Sequence, residues 1–300
     1  MSLPKVIVIL GPTASGKTAL SLKLAKQFNG EIISADSRQV YREMNIGTAK
    51  ASAAELKAVK HYLVDSINPD ESYTLGQYKR DAVKYINLIQ HKGKTPFLVG
   101  GTGLYLWALI ANLDIPEIKP DRKLRARLEK MVKRHGLYYA YGRLTALDPE
   151  AAYIVDPKNP RRVLRALEIA ILTKKPFSAT RKTGPPLFAP LILGIGVPQE
   201  KLKSNINSRV EAMMRAGLVT EVKNLLKKYG KRKLPFDAIG YREVISYLAG
   251  EITRDQAAEL IKSNTWKFAK RQYTWFKKLP VLWINTHKQA ETEIKKFLKD

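Results

Sequence analysis

Cysteine is absent from the 300-residue sequence, and histidine occurs only four times, at His61, His91, His135 and His287. The first absence excludes a disulfide framework and any thiolate metal site. The histidines are widely spaced and show no metal-ligand pattern, so we expect ordinary surface or packing residues. No apolar run approaches the roughly 20 residues of a membrane span, and the N-terminus lacks the layout of a cleavable signal. A cytoplasmic protein without a membrane partner is therefore expected.

Acidic residues are scarce: 27 Asp and Glu stand against 53 Lys and Arg, which gives a net charge of +26. Such an excess favours a polyanionic partner, because each phosphate that a cation neutralises releases condensed counterions. A generally basic, well-solvated surface is the alternative. The hydrophobic content of 45% and the chain length fit an ordinary globular protein of one large domain or two modest ones.

The first 110 residues alternate strand-like and helical segments. Short β-branched runs predict strands at KVIVIL (5–10), EIISA (31–35), HYLVD (61–65) and TPFLVG (95–100). Apolar spacing predicts helices over 18–28 and 74–92, and capping-box patterns start at Ser52-x-x-Glu55 and Thr74-x-x-Gln77. This alternation predicts a parallel β-sheet flanked by helices.

The pattern changes between about 114 and 187, where no segment is strand-like. Basic helical segments lie at 121–135, 137–147 and 160–173, and proline clusters border them at 116–120 and 184–190. The strand pattern resumes at LILGIGV (191–197), helices follow over 199–279, and VLWIN (281–285) predicts a last strand. We therefore predict an α/β core, residues 1–113 and 188–300, interrupted by a small all-helical basic domain, residues 114–187.

A glycine-rich loop joins the first predicted strand to the first predicted helix. It fits the complete phosphate-loop pattern with Gly11, Pro12, Thr13, Ala14, Ser15, Gly16, Lys17 and Thr18. In such a loop, backbone N–H groups converge on an anion, the lysine adds a charge, and the hydroxyl can bind Mg²⁺. A chance match in a chain of this length is on the order of 1%. The motif predicts a P-loop core that binds a di- or triphosphate, without specifying which.

A second group of polar residues, Asp36, Ser37, Arg38 and Gln39, follows the second predicted strand. This position lies over the carboxyl end of the sheet, where open α/β folds bind ligands. The Asp36 carboxylate would serve as a general base or as a Mg²⁺ ligand. A simple turn former is the structural alternative.

Five segments, in order along the chain, closely resemble the tRNA dimethylallyltransferase (tRNA isopentenyltransferase) family. They are GPTASGKT (11–18), SADSRQVYREMNIGTAK (34–50), LVGGTGLYL (98–106), RRVLRALE (161–168) and GYRE (240–243). The resemblance runs from about residue 5 to 279, and the segment that begins at Asp36 carries most of its weight. No zinc-finger extension follows, so the chain resembles the short bacterial type.

The resemblance implies a prenyl transferase. Such an enzyme moves the dimethylallyl group of dimethylallyl diphosphate to N6 of the adenosine 3′ to the anticodon, position 37, in tRNAs that read codons beginning with U. Diphosphate leaves with the help of Mg²⁺, and no ATP is consumed. Asp36, Lys17 and Thr18 are the implied catalytic residues, Thr18 the implied Mg²⁺ ligand, and Arg209 an implied diphosphate contact beside the phosphate loop. A monomer is expected.

The tRNA surface is predicted from basic clusters and from the same resemblance. Arg122, Lys123, Arg125 and Arg127 form one cluster, Arg161, Arg162 and Arg165 a second, and Lys267, Lys270 and Arg271 a third that is interleaved with aromatic rings. The implied tRNA-binding residues are Asp36, Ser37, Arg38, Gln39, Thr102, Arg125, Arg161, Arg162, Val163, Leu164, Arg165, Lys270 and Arg271. Each run taken alone is also explained by a solvated helix face.

Two other classes of P-loop protein share part of this pattern. A small-molecule or nucleoside kinase would use the same loop and Asp36 as base, but we see no arginine-rich lid, and the charge of +26 has no evident use there. A nucleic-acid-binding ATPase needs an apolar run that ends in an acid, for which HYLVD (61–65) is a weak match.

Overall fold

The computed structural model describes residues 3–116, 121–230 and 235–299, with the backbone alone for 122, 180 and 181. Most of the predicted proline cluster at 116–120 and the side chain of Arg122 therefore lie outside the described residues. The chain forms two compact units, residues 1–110 with 186–300 and residues 111–185. The sequence-based boundaries at 114 and 187 fall within three residues of these limits.

A six-stranded parallel sheet forms the centre of the first unit, in the order β3-β2-β4-β1-β5-β6. Its strands are β1 (Lys5–Leu10), β2 (Gly30–Ala35), β3 (His61–Tyr62), β4 (Thr95–Gly100), β5 (Ala189–Ile195) and β6 (Leu282–Ile284). Helices flank the sheet, so the predicted α/β fold class is confirmed.

Two strand predictions were wrong in extent. The segment 61–65 is extended only over β3, because Leu63 and Asp65 adopt positive φ angles of 60° and 49°. Such left-handed backbone cannot continue a strand. The strand predicted at 191–197 instead spans Ala189–Ile195, since it pairs with β1 from Lys5 onward.

The helices, numbered along the chain, are α1 (Lys17–Gln27), α2 (Ala53–Ala58), α3 (Leu75–His91), α4 (Gly103–Ile110), α5 (Arg122–His135), α6 (Leu137–Leu147), α7 (Ala151–Ile154), α8 (Pro160–Thr173), α9 (Gln199–Arg215), α10 (Leu218–Tyr229), α11 (Tyr241–Leu248), α12 (Arg254–Phe276) and α13 (His287–Lys299). Both predicted capping boxes are confirmed, at Ser52 and Thr74. No helix in the described part of the chain is long and apolar enough to cross a membrane.

Three loops meet at the carboxyl edge of the sheet because of the strand order. Strand β4 lies between β1 and β2, and Gly100 at its end is in register with Leu10 on one side and Ala35 on the other. The residues that follow these three ends are the phosphate loop, Asp36 and Gly101. Segments far apart in sequence thus become neighbours at one edge.

The sheet is buried on both faces. Val6, Val8 and Leu10 pack on the side of α3 and α4, while Ile7 and Ile9 pack with residues of α1 and α13. This alternation follows from the two-residue period of a strand. Because both faces are buried, the strand sequence is a continuous apolar run such as KVIVIL instead of an alternation of apolar and polar residues.

The second unit is helical and has its own core. Its helices are α5, α6, α7 and α8, followed by a 3₁₀ turn over Ser178–Arg181. The core contains Leu124, Leu128, Ala140, Leu144, Val163, Leu164 and Leu167. Apolar positions at helical spacing on α5, α6 and α8 thus form one core for this unit.

Candidate active site

The phosphate loop turns directly into α1. Gly16 precedes the helix with φ 90° and ψ 12°, a left-handed conformation that glycine adopts at little cost. The helix begins at Lys17, so the N–H groups of its first turn have no partner within the helix. These donors and the positive end of the helix favour an anion at this position.

Two cations lie at the loop. The Lys17 Nζ donates to the Pro12 carbonyl over 2.7 Å, and Arg209 on α9 donates to the Thr13 hydroxyl over 3.4 Å. Desolvation, and next the charge of Arg209, lower the pKa of Lys17 to about 8, while the Asp36 carboxylate acts in the opposite direction. Burial also lowers the pKa of Arg209. Two like charges held this close indicate a site for an anion that would relieve their repulsion.

The Asp36 carboxylate is oriented by its own loop. Its Oδ1 accepts from the backbone N–H groups of Arg38 (2.8 Å) and Gln39 (3.3 Å). Within the described residues, Oδ2 has no hydrogen-bond partner. One oxygen therefore fixes the side chain, and the other is available to accept a proton or bind a cation.

A cavity of about 280 Å³ brings these groups together. It is lined by Thr13, Ala14, Ser15, Gly16, Lys17, Thr18, Asp36, Gln39, Thr48, Glu55, Gly101, Arg209, Phe268 and Gln272, with a few smaller residues. The predicted diphosphate site and the predicted base thus face one space. Gly11 and Pro12, at the start of the loop, are buried and are not among the described residues that line the cavity.

The three residues after Asp36 make defined contacts. Ser37 N–H donates to the Thr102 hydroxyl over 3.0 Å. Arg38 forms an ion pair of 2.9 Å with Asp237, and Gln39 donates to the carbonyl oxygens of Thr48 and Ala49. Of these three residues, only Gln39 is among those that line the cavity.

Asp65, the acid of the weak ATPase-like match, lies elsewhere. It pairs with Lys50 and is not among the described residues that line the cavity. This arrangement gives no support to the ATPase alternative.

Sequence reasoning missed the role of Gln272 on α12. Its amide oxygen accepts from Thr13 N–H and its amide nitrogen donates to the Gly101 carbonyl, each over 2.8 Å. The charged neighbours made this segment look like a solvated face. Its spacing could have indicated that Gln272 is buried, because it lies three residues after Ala269 and four before Phe276, which are both fully buried.

The second unit presents several of the predicted tRNA-binding residues. Arg161 and Arg162 are exposed on α8. Arg165 forms an ion pair of 2.9 Å with the buried Glu168, and Arg125 lies 3.9 Å from the same carboxylate. The side chains of the other two predicted residues, Val163 and Leu164, are buried in the core of this unit, so they can support an RNA-binding face only from beneath.

The basic face of α12 forms an open groove in the first unit. Lys267, Lys270, Arg271, Thr274, Trp275 and Lys278 line it. The Lys270 ammonium lies 5.6 Å from the centre of the Trp266 ring, and Arg271 lies 5.9 Å from that of Phe268. Cations and rings thus alternate on one helix, which is the arrangement predicted from the sequence.

Comparison with known proteins identifies the family. The family model described as IPP transferase matches residues 39–279. A tRNA dimethylallyltransferase of Acetivibrio thermocellus is 44% identical over 98% of this chain and 96% of the relative, and one of Roseiflexus is 46% identical over 92% and 90%.

Solved structures agree with this match. The tRNA isopentenylpyrophosphate transferase of Bacillus halodurans has a TM-score of 0.72 and 39% identity, covering 98% of this chain and 95% of its own. A eukaryotic dimethylallyltransferase acting on tRNA has a TM-score of 0.79 and 30% identity, covering 98% and 77%. The resemblance seen in the five motifs is confirmed, and the chain belongs to the IPP transferase family of prenyl transferases.

Proposed function

We propose that this protein transfers the dimethylallyl group of dimethylallyl diphosphate to N6 of adenosine 37 in tRNAs that read codons beginning with U. The N6–C1 bond forms as the C1–O bond to diphosphate breaks, and the N6 proton leaves to a base. The relatives named as tRNA dimethylallyltransferases support this reaction over phosphoryl transfer.

One observation carries the proposal: the phosphate loop and Asp36 line a single cavity. A transferase needs the leaving group and the proton acceptor on opposite ends of one reaction path. The Lys17–Arg209 pair provides the anion site, and the free Oδ2 of Asp36 provides the acceptor.

Asp36 would act as the general base. The lone pair of an exocyclic adenine amine is delocalised into the ring, so N6 is a weak nucleophile. Removing its proton as the new bond forms lowers the barrier. The two backbone N–H groups on Oδ1 hold the carboxylate in position, so that Oδ2 would receive the proton.

The phosphate loop would stabilise the leaving diphosphate. The N–H groups at the start of α1, Lys17 and Arg209 would meet charge that grows as the C–O bond lengthens. An allylic group tolerates this lengthening because the developing cation is delocalised. Diphosphate binding would in turn raise the pKa of Lys17 and keep it protonated.

Prenyl transfer from a diphosphate generally uses a divalent metal, and we propose Mg²⁺ here. Thr18 lines the cavity beside the phosphate loop, and its hydroxyl would supply an oxygen ligand of the kind this ion prefers. Because no cluster of three His, Asp or Glu residues occurs in the described part of the chain, substrate oxygens and water would complete its coordination. When bound, the ion would neutralise negative charge on the diphosphate.

We propose that both basic surfaces, one in each unit, contact tRNA. In the second unit, exposed Arg161 and Arg162 would contact phosphates, with Arg125 and Arg165 beside them. In the first unit, Lys270 and Arg271 would contact phosphates while neighbouring rings stack on bases. Access to N6 requires the adenosine to leave its stack and enter the cavity.

A direct test is incubation of the protein with unmodified tRNA and either dimethylallyl diphosphate or ATP, followed by mass analysis of the RNA. We expect the mass of one five-carbon prenyl unit on the tRNA with the prenyl donor and no ATP. ADP formation or a phosphorylated product with ATP, without prenylated tRNA, would contradict the proposal.

A further inference from the structure

Gln272 connects two loops that are remote in sequence. It is 7% exposed on α12 and lies 259 residues from Thr13 and 171 residues from Gly101. Its amide accepts from the first and donates to the second, so both ends of the amide are satisfied. A buried amide that bridges two loops in this way fixes the distance between them.

The absence of a side chain at Gly101 makes this bridge possible. A Cβ atom built there would lie 2.4 Å from Gln272 Nε2. Real carbon atoms do not approach so closely, so the amide would be displaced. The bridge therefore depends on a matched pair of residues.

The connection continues beyond Gly101 to the base. The next residue, Thr102, donates its N–H to the Ala35 carbonyl over 3.1 Å and accepts from Ser37 N–H over 3.0 Å. Ala35 and Ser37 flank Asp36 in sequence. A chain of hydrogen bonds thus joins the phosphate loop to both neighbours of Asp36.

Thr13 is held at the other end of this chain. Its N–H is committed to Gln272, and its hydroxyl accepts from Arg209. The Thr13 N–H is therefore already paired, and we expect the N–H groups at the start of α1 to be the donors for an anion. Gln272 holds the loop through Thr13 and also lines the cavity.

We infer that Gln272 and Thr102 act as positioning residues that set the distance between the phosphate loop and Asp36. This inference rests on the proposed function, in which diphosphate leaves the loop while Asp36 removes the N6 proton. Misplacement of reacting groups by about 1 Å can cost on the order of 10²-fold in rate. Neither residue needs to touch the reacting atoms for this effect.

The test compares Gln272→Met, which keeps the length of the side chain and removes both hydrogen bonds, with Gln199→Met at an exposed position. Single-turnover prenyl transfer at saturating substrates should slow by about 10- to 100-fold in Gln272→Met. Binding of inorganic diphosphate and of tRNA should stay within about threefold of wild type. Gln199→Met should react like wild type.

A double-mutant cycle with Thr102→Val separates positioning from general destabilisation. If the two residues act as one connection, Gln272→Met/Thr102→Val should be little slower than the slower single variant. Multiplied rate losses, or a wild-type rate in Gln272→Met, would overturn the inference.

Amide hydrogen exchange, read by NMR, tests the connection without any activity. In Gln272→Met, exchange at Ser37 N–H should accelerate at least about tenfold, although Ser37 does not contact Gln272. If Gln272→Met fails to fold, Thr102→Val should accelerate exchange at Thr13 N–H in the same way. Unchanged exchange at the remote amide overturns the inference. Failure of wild-type protein to prenylate tRNA overturns the proposed function instead.

Discussion

The Arg209 guanidinium lies close to Lys17 beside the phosphate loop. Desolvation, and next the positive charge of Arg209, lower the pKa of Lys17 to about 8. Arg209 comes from α9, almost 200 residues further along the chain, and donates to Thr13 over 3.4 Å. We therefore expect this site to favour a ligand with at least two negative charges.

This pair predicts a pH dependence of anion binding. In the free protein Lys17 loses its proton as pH rises through about 8, so affinity for inorganic diphosphate should fall above that pH. Arg209→Met should weaken binding by about tenfold and also move the fall to higher pH, because one cause of the lowered pKa is removed. Isothermal calorimetry from pH 7 to pH 10 would measure diphosphate affinity for wild type and Arg209→Met. The protonation of diphosphate itself affects both proteins equally, so a difference between them reports on Lys17. Arg215→Met, at the exposed end of the same helix, is the matched control, and the same midpoint in Arg209→Met and wild type would contradict the prediction.

The lowered pKa of Lys17 also predicts how the free energy of unfolding changes with pH. The unfolded lysine, with its ordinary pKa of 10.5, binds more protons than the folded one between about pH 8 and that value. In the absence of diphosphate, Lys17 should therefore make the free energy of unfolding rise with pH across this window. Urea denaturation of wild type and Lys17→Met should diverge there. Parallel curves would show that the pKa of Lys17 is not lowered.

Asp36→Asn should separate base chemistry from binding. Asparagine keeps an oxygen for the N–H groups of Arg38 and Gln39 but cannot accept a proton in the same way. Turnover should fall by about 10² to 10⁴, with little change in the dissociation constants of tRNA and donor. Lys17→Ala should weaken donor binding as well as slow transfer, because in the proposed reaction Lys17 meets the diphosphate in both ground and transition states. If Asp36→Asn instead abolishes metal-dependent donor binding and reacts normally at saturation, Asp36 is a metal ligand.

The helical unit should contribute to the salt dependence of tRNA binding. Arg127, Arg161 and Arg162 are exposed, and changing all three to Gln should reduce the slope of log affinity against log salt by roughly two to three units. The matched control changes Lys288, Lys296 and Lys299 of α13 to Gln, which removes the same charge from another exposed surface. Filter binding over a range of salt concentrations would measure both slopes. Equal slopes for the two triple variants would remove the helical unit from the RNA interface.

Glu221 should stabilise the loop that orients Gln39. Its carboxylate accepts from the N–H groups of Asn45, Ile46 and Gly47 and from the Tyr241 hydroxyl. Glu221→Gln leaves one acceptor oxygen for these donors, so the free energy of unfolding should fall by about 2 kcal/mol. Tyr241→Phe removes a single donor and should cost about 1 kcal/mol. Urea denaturation would measure both, and a Glu221→Gln protein as stable as wild type would show that this network contributes nothing.

The sequence alone determined the local elements and the chemistry of the site. Strand-length apolar runs, helix caps and the glycine-rich loop are set by neighbours in sequence, so β1, α1 and both capping boxes could be predicted. The motifs around Lys17 and Asp36 identified the family because each contains its characteristic residues within a few positions.

The tertiary structure decided which distant residues meet. The strand order places β4 between β1 and β2, and only this order brings Gly101 between the phosphate loop and Asp36. The role of Gln272 depends on which face of α12 is buried, and that is settled by packing with the rest of the core. Likewise, Val163 and Leu164 belong to a basic motif but lie in a core, because helical geometry directs neighbouring residues to different faces. Contacts over such separations depend on how whole elements pack, which no local pattern specifies.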